Sequence, residues 1–130
     1  IPMIISSPKY KKNKTSESFV ELVDLYPTFC EIAGLEIPSF AQGKSLIDNL
    51  KNPKKITNDI AFSRWQNGET LISNKYYYTE WSRKGNLTHR MLYDIENDEL
   101  QMNNIAEIKS KKSIVDSLSR ILNKHIKSIN

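Results

Sequence analysis

Four sets of residues in this sequence are of types that do chemistry, and their spacing decides how each should be read. Cys30 could be a nucleophile, but within Phe-Cys-Glu-Ile-Ala it reads as a small buried hydrophobe on a helix. As the single cysteine it allows no internal disulfide and no cysteine metal cluster. Gly43-Lys-Ser45 has the ending of a phosphate-binding loop, in which two glycines let backbone N–H groups cradle phosphate. Pro38 stands where the first glycine is required and no clean buried strand precedes it, so the string reads as a turn before a short helix capped by Ser45. Asp94, Glu96, Asp98 and Glu99 concentrate carboxylates, yet they lack the alternating oxygen ligands and closing Glu of a calcium loop; they read as turn and surface charge. Of the two histidines, His125 falls on an apolar helical face and reads as structural, which leaves His89 as the better ligand candidate. No catalytic group and no metal ligand set is expected in this chain.

The scaffold that must position such residues is small. At 130 residues the chain has the size of one ordinary domain. An apolar fraction of 38% is that of a globular protein, and no apolar run approaches the roughly 20 residues of a membrane span, so no membrane partner is expected. The net charge of +4 is uneven, with six basic residues against Asp116 alone between Lys109 and Asn130. Those cations are not interleaved with aromatics, as stacking on bases would require; they read as a solvated helix face, and no nucleic-acid partner is expected.

Along the chain, Pro2 to Ser6 is an apolar run closed by Pro8, the pattern of a strand buried on both faces of a parallel sheet. Ile1-Pro-Met-Ile-Ile5 lacks the basic start and cleavage site of a signal peptide, and without an initiator Met it reads as the continuation of a longer chain. Lys11-Lys-Asn-Lys14 reads as an exposed turn with Asn13 left-handed. A helix is expected over Leu25 to Ala33, capped by Asp24, with Pro27 in its first turn, Gly34 at its end and an apolar face of Leu25, Phe29, Ile32 and Ala33. From Asp59 to Asp94 the period becomes strand-like over Ile60 to Trp65, Thr70 to Ile72, Tyr76 to Trp81 and Met91 to Tyr93. The turn formers Asn67-Gly68, Ser73-Asn74 and Gly85-Asn86 separate these runs, predicting an antiparallel sheet of about four strands. A terminal helix over Ser110 to Ile129, with Ile114, Leu118, Ile121, Leu122, His125 and Ile129 on one side, should pack across it.

Five strings then occur in order: Val20-Glu-Leu-Val-Asp-Leu-Tyr-Pro-Thr28, Ala33-Gly-Leu35, Gln42-Gly-Lys-Ser-Leu46, Lys75-Tyr-Tyr-Tyr-Thr-Glu-Trp81 and Leu92-Tyr-Asp-Ile-Glu-Asn-Asp98. Together they resemble the last third of a sulfatase, closest to the iduronate sulfatase branch of the alkaline phosphatase superfamily. The resemblance implies the C-terminal portion of an α/β fold. Residues 1–55 would end a large mixed-sheet domain, and 56–130 would form a small domain with a four-stranded antiparallel sheet and a C-terminal helix. Tyr77 stands where this branch has Arg, which puts any contact made through that arginine in doubt, and Glu99 replaces a turn proline.

The resemblance also implies sulfate ester hydrolysis, in which a formylglycine made within C-x-P-x-R or S-x-P-x-R acts beside a calcium ion. Neither motif is in this chain. Formylglycine and calcium are thus implied for the full-length enzyme and no cofactor for this segment, whose partners would be the N-terminal catalytic portion and a sulfated sugar. The compartment implied is periplasmic, secreted or lysosomal rather than cytoplasmic; the sequons at Asn13 and Asn86 are too short a pattern to settle it. Because the small domain of such enzymes borders the cleft, Arg64, Trp65, His89 and Arg90 are the substrate-binding candidates, with Arg83 beside them: cations for acidic groups and an aromatic face for a ring. The alternatives are a standalone carbohydrate-binding or interaction module using the same aromatics, and part of a related phosphoesterase, which only the nucleophile outside this segment, Ser or Thr against formylglycine, would separate.

Overall fold

Alternation and turn chemistry build the second half of the chain. In the computed structural model, which describes residues 2–10 and 12–129, strands β1 (Ile60–Trp65), β2 (Gly68–Ser73), β3 (Tyr76–Arg83) and β4 (Asn86–Asp94) pair antiparallel in the order β1-β2-β3-β4. Ile1, Lys11 and Asn130 lie outside the described residues. The expected four-stranded sheet is therefore present. Lys84 and Gly85 both take positive φ, 52° and 78°, the turn geometry that matches the twist of paired strands. Ser73 accepts the Tyr76 N–H at 3.0 Å and donates to the Tyr76 carbonyl at 3.1 Å, closing the middle turn.

Gly68 is the first residue of β2 rather than a turn residue, and the reason is steric. A Cβ there would lie 2.7 Å from Nε1 of Trp81, whose indole crosses the glycine. Gly68→Ala should push the indole outward and lower stability by about 1–2 kcal/mol, as overpacking does. In a Trp65→Phe background the emission of Trp81 should shift to the red; unchanged emission and unchanged stability would show that the ring does not rest there.

One face of the sheet makes the core. Phe62, Leu71, Tyr78 and Leu92 are cross-strand neighbours, and helix α3 (Lys112–Ile129) packs on that row through Val115, Leu118 and Leu122. The expected helical face differs in two places. Val115 is buried, while Ile121 is 40% exposed, because the stripe that meets the sheet runs through positions i, i+3 and i+7 from Val115 and leaves Ile121 on its border. His125 is structural as expected: its ring stacks on Phe62, centroids 3.7 Å apart and planes within 2°. Buried Tyr78 donates its hydroxyl to Glu80 at 2.6 Å, and Asn123 of α3 donates to the other carboxylate oxygen at 3.3 Å.

The outer edge of β4 is closed by a side chain. Asn104 accepts the N–H groups of Leu92 and Ala106, each at 3.0 Å, and donates to the Arg90 carbonyl at 3.2 Å. Ile105 adds a backbone bond to the Leu92 carbonyl at 2.9 Å.

The first 59 residues form their own compact unit, Ile1–Asp59, the second being Ile60–Asn130. The division falls after Asp59. Thr57 and Asn58 bond back into the first unit: the Thr57 N–H reaches the Ser18 hydroxyl at 2.8 Å, the Thr57 hydroxyl reaches Asn49 at 2.7 Å, and Asn58 accepts from Phe19 at 3.0 Å.

Helices α1 (Leu25–Ala33) and α2 (Ile47–Lys51) form this unit's regular structure with a 3-10 turn, Leu22–Asp24. Gly34 ends α1 with φ 71°, and Asn13 is left-handed with φ 54°, both as expected. Asp24 does not cap α1 directly. Its carboxylate accepts the N–H of Glu21 at 2.9 Å and the N–H of Lys44 at 2.8 Å, while the Thr28 hydroxyl accepts the N–H of Leu46 at 2.9 Å. Gln42-Gly-Lys-Ser-Leu46 is thus a segment docked on α1. Gly43 makes the approach possible, since a Cβ would meet the Val23 carbonyl oxygen at 2.1 Å. The Ser45 hydroxyl accepts the Ile47 N–H at 3.3 Å one residue ahead of the α2 cap position, which is Leu46 rather than the expected Ser45.

Docking that segment turns α1 away from the expected orientation. Pro27, Thr28 and Cys30 are buried, Leu25 and Ile32 are half-buried, and Ala33 and Phe29, the latter at 61%, are exposed. Leu22, Tyr26, Phe29 and Ala33 form an uncovered apolar stripe, and Tyr26 stacks with Phe40 at 6.0 Å. The expected buried strand over Pro2 to Ser6 is not formed among the described residues, and Ile4 is 92% exposed. A strand exists only within a ladder, and all four strands described pair with one another in the second unit. Among the described residues no helix is long and apolar enough to cross a membrane.

Candidate functional site

Neighbours along a strand face opposite sides of its sheet, and this divides the four substrate-binding candidates. Trp65, Gly68, Trp81 and His89 form one cross-strand row, on the face opposite α3. Arg64, Glu69, Glu80 and Arg90 form the adjoining row on the α3 side. The structure therefore brings Trp65 and His89 to one face and places Arg64 and Arg90 on the other.

The two arginines are held by carboxylates. Arg64 is ion-paired with Glu69 across the first hairpin. Arg90 makes a two-pronged contact with Glu107, Nε to Oε1 at 2.7 Å and Nη2 to Oε2 at 3.2 Å. That hydrogen bond raises the Arg90 pKa further and holds the Glu107 carboxyl below the usual carboxylate range.

The opposite face is open at the hairpin end. Trp65 is 78% exposed, His89 is exposed and Trp81 is half-buried above Gly68. Two hairpin tips meet here, because Ser82 donates to the Asn67 carbonyl at 3.1 Å and the Asn67 side chain donates to the Ser82 carbonyl at 3.2 Å. The second tip carries Arg83 and Lys84, both exposed and without an ion pair among the described residues. Indole faces match the C–H-rich face of a sugar ring, and the free cations and imidazole can meet acidic substituents. Trp81 and Lys84 join the candidates here: the register sets Trp81 between Gly68 and His89, and the turn between β3 and β4 carries Lys84.

The remaining candidates resolve as structure. Asp98 accepts the N–H groups of Met102 at 3.0 Å and Asn103 at 2.7 Å, which lower its pKa, and Asp94 accepts from Asn97 at 3.1 Å. The acidic run is a turn in which Asp98 holds backbone donors, Asp94 a side-chain amide and Glu96 the Lys75 ammonium at 3.1 Å. Among the described residues no three His, Cys, Asp or Glu side chains are grouped to hold a metal ion.

Residues 1–128 match the family of N-sulphoglucosamine sulphohydrolase C-terminal segments. The chain belongs to that sulfatase family. Among its relatives, the chain is 34% identical over 116 residues to an N-acetylglucosamine-6-O-sulfatase of Bacteroides thetaiotaomicron, covering 81% of the chain and 21% of that protein. A structure solved in complex with its substrate D-glucosamine-2-N,6-O-disulfate superposes with TM-score 0.83 at 24% identity, over 94% of the segment and 27% of that chain. A phosphonate monoester hydrolase from Silicibacter pomeroyi also reaches 0.83, at 20% identity, over 96% of the segment and 28% of that chain. Below 25% identity these two likenesses show the fold alone, the alkaline phosphatase-like sulfatase fold with its small four-stranded sheet and C-terminal helix. The segment spans about a quarter of the length of the curated relatives it matches, 27% of an arylsulfatase of Clostridium perfringens for example.

Proposed function

We propose that this segment completes a sulfatase acting on a sulfated carbohydrate and that the open end of its sheet binds the sugar. The family match over residues 1–128 carries the reading. In it, the first unit, expected from the sequence as residues 1–55, ends the large catalytic domain, and the second, expected as 56–130, forms the small one. The uncovered stripe of α1 and the apolar run at Pro2 to Ile5 provide surface on which the rest of the protein packs. Formylglycine and calcium, which supply the nucleophile and the positive charge of such chemistry, belong to residues outside this segment. The compartment is periplasmic, secreted or lysosomal.

Within this reading the chain's own work is binding. Trp65 and Trp81 offer ring faces, and His89, Arg83 and Lys84 offer donors to acidic groups on rings beyond the scissile ester. Such remote binding energy raises the rate on a sugar and is wasted on a small aryl ester. In the complete protein, Trp65→Ala and His89→Ala should each lower kcat/KM for a sulfated glucosamine by about tenfold, near 1.4 kcal/mol, and leave an aryl sulfate within about twofold. Arg64→Ala should do less, because that guanidinium is engaged by Glu69. Equal losses on both substrates would remove the row from the site.

The phosphonate hydrolase of equal fold likeness keeps a second reading in view, hydrolysis of a phosphate or phosphonate ester. Turnover of an aryl phosphonate well above that of the matching aryl sulfate would favour it.

A further inference from the structure

The outer face of α3 carries Arg120, Lys124 and Lys127 at i, i+4 and i+7, opposite the buried stripe of Val115, Leu118 and Leu122. All three are exposed, and among the described residues none makes an ion pair or a side-chain hydrogen bond. Two of the three lysines ahead of them, Lys111 and Lys112, are treated differently. Lys112 is neutralised by Asp116 at 2.6 Å, and Lys111 lies 4.0 Å from Asp94.

A helix face kept only for solubility mixes signs at i, i+4, because opposite charges there stabilise by a few tenths of a kcal/mol and like charges destabilise by similar amounts. Beyond Asp116 the helix has no acid at all. The three cations form a row of roughly 10 Å, with about 5–6 Å between successive Cβ atoms, well inside the distance over which charges act together at physiological salt.

We infer that Arg120, Lys124 and Lys127 form a docking strip for a linear sulfated polysaccharide, separate from the sugar site at the end of the sheet. A straight row of evenly spaced cations fits a stiff chain that carries anions on successive rings. The helix has no Tyr, Trp or Phe, so it cannot stack nucleic-acid bases. Its apolar side is used by the core, so it cannot enter a bilayer. Because α3 covers the face of the sheet opposite Trp65, Trp81 and His89, a chain held on the strip leaves that row free. The choice of partner rests on the sulfated-sugar reading above; the strip itself rests on its geometry.

The test is retention of the complete protein on immobilised heparin, with Arg120→Glu, Lys124→Glu and Lys127→Glu combined. A control that reverses the exposed Lys12, Lys14 and Lys54 makes the same change in net charge elsewhere. The strip variant should bind about tenfold or more weakly near 0.1 M salt and show a shallower salt dependence, since neutralised anions no longer release counterions. The control should elute with wild type. Both variants should hydrolyse a sulfated monosaccharide as wild type does, which separates the strip from the sheet-end site; if no form hydrolyses it while the binding pattern holds, the sulfatase reading fails and the strip stands. Equal weakening by strip and control variants, or no weakening by either, overturns the inference. Equally strong strip-dependent retention on duplex DNA overturns its assignment to a saccharide.

Discussion

A Gly43→Ala substitution should remove about 3 kcal/mol of stability, a large share of the 5–15 kcal/mol typical of a domain. The added methyl would sit 2.1 Å from the Val23 carbonyl oxygen and 2.4 Å from its carbon, and both are backbone atoms that cannot rotate aside. The 42–46 segment must therefore retreat by about 1 Å, more than a tightly packed site absorbs without strain of 1–3 kcal/mol. Retreat also stretches the bonds from the Lys44 N–H to Asp24 and from the Leu46 N–H to Thr28. Buried acceptors left without their donors lose roughly 1–3 kcal/mol each. Lys44→Ala is the informative companion. It keeps the backbone donor and removes only an exposed contact with Asn58, so it should cost less than about 0.5 kcal/mol. Urea midpoints measure both; a phosphate-cradling role for Gly-Lys-Ser would instead make the lysine indispensable for anion binding.

The second large effect centres on Tyr78, which is fully buried and bonded to Glu80. Tyr78→Ala should cost about 4 kcal/mol, the usual range for emptying an aromatic site. Tyr78→Phe should cost about 1–2 kcal/mol, because it keeps the ring and leaves a nearly buried carboxylate short of one donor. The hydroxyl also ties stability to pH. Burial, and then the bond to Glu80, raise the Tyr78 pKa well above 10.0. Above pH 10 the unfolded chain releases this proton while the folded chain keeps it, so the native state holds more protons. Stability that is complete below pH 10 must then fall by up to about 1.4 kcal/mol per pH unit as pH rises toward the folded value. Tyr78→Phe should flatten that alkaline limb relative to wild type. An identical slope in both proteins would show that this hydroxyl is not the group responsible.

The sheet was legible in the sequence because its signals were local. β-branched and aromatic runs alternate between turn formers, and the last turn, expected at Gly85-Asn86, falls one residue earlier at Lys84 and Gly85. What could not be read depended on partners distant in sequence. Periodicity proposed Leu25, Phe29, Ile32 and Ala33 as the buried face of α1, yet Asp24 and Thr28 receive the 42–46 segment, and that docking decides which side is covered. The run at Pro2 to Ser6 has strand composition but no ladder to join. For the site, the missing step was within reach. Arg64 and Trp65, like His89 and Arg90, are consecutive residues on a strand and cannot share a face. Finding Trp81 between Gly68 and His89 needed the register of three strands, which no single run of sequence states.

The Asn104 amide gives the sheet a closed margin. By occupying the N–H of Leu92 and the carbonyl of Arg90, it does at that edge what another strand would otherwise do. Growth of the sheet past β4, by a foreign strand or by self-association, is therefore blocked by one side chain, because the groups an arriving chain would need are already held. Asn104→Ala would reopen that margin, leaving the Leu92 N–H and the Arg90 carbonyl to the next strand that arrives.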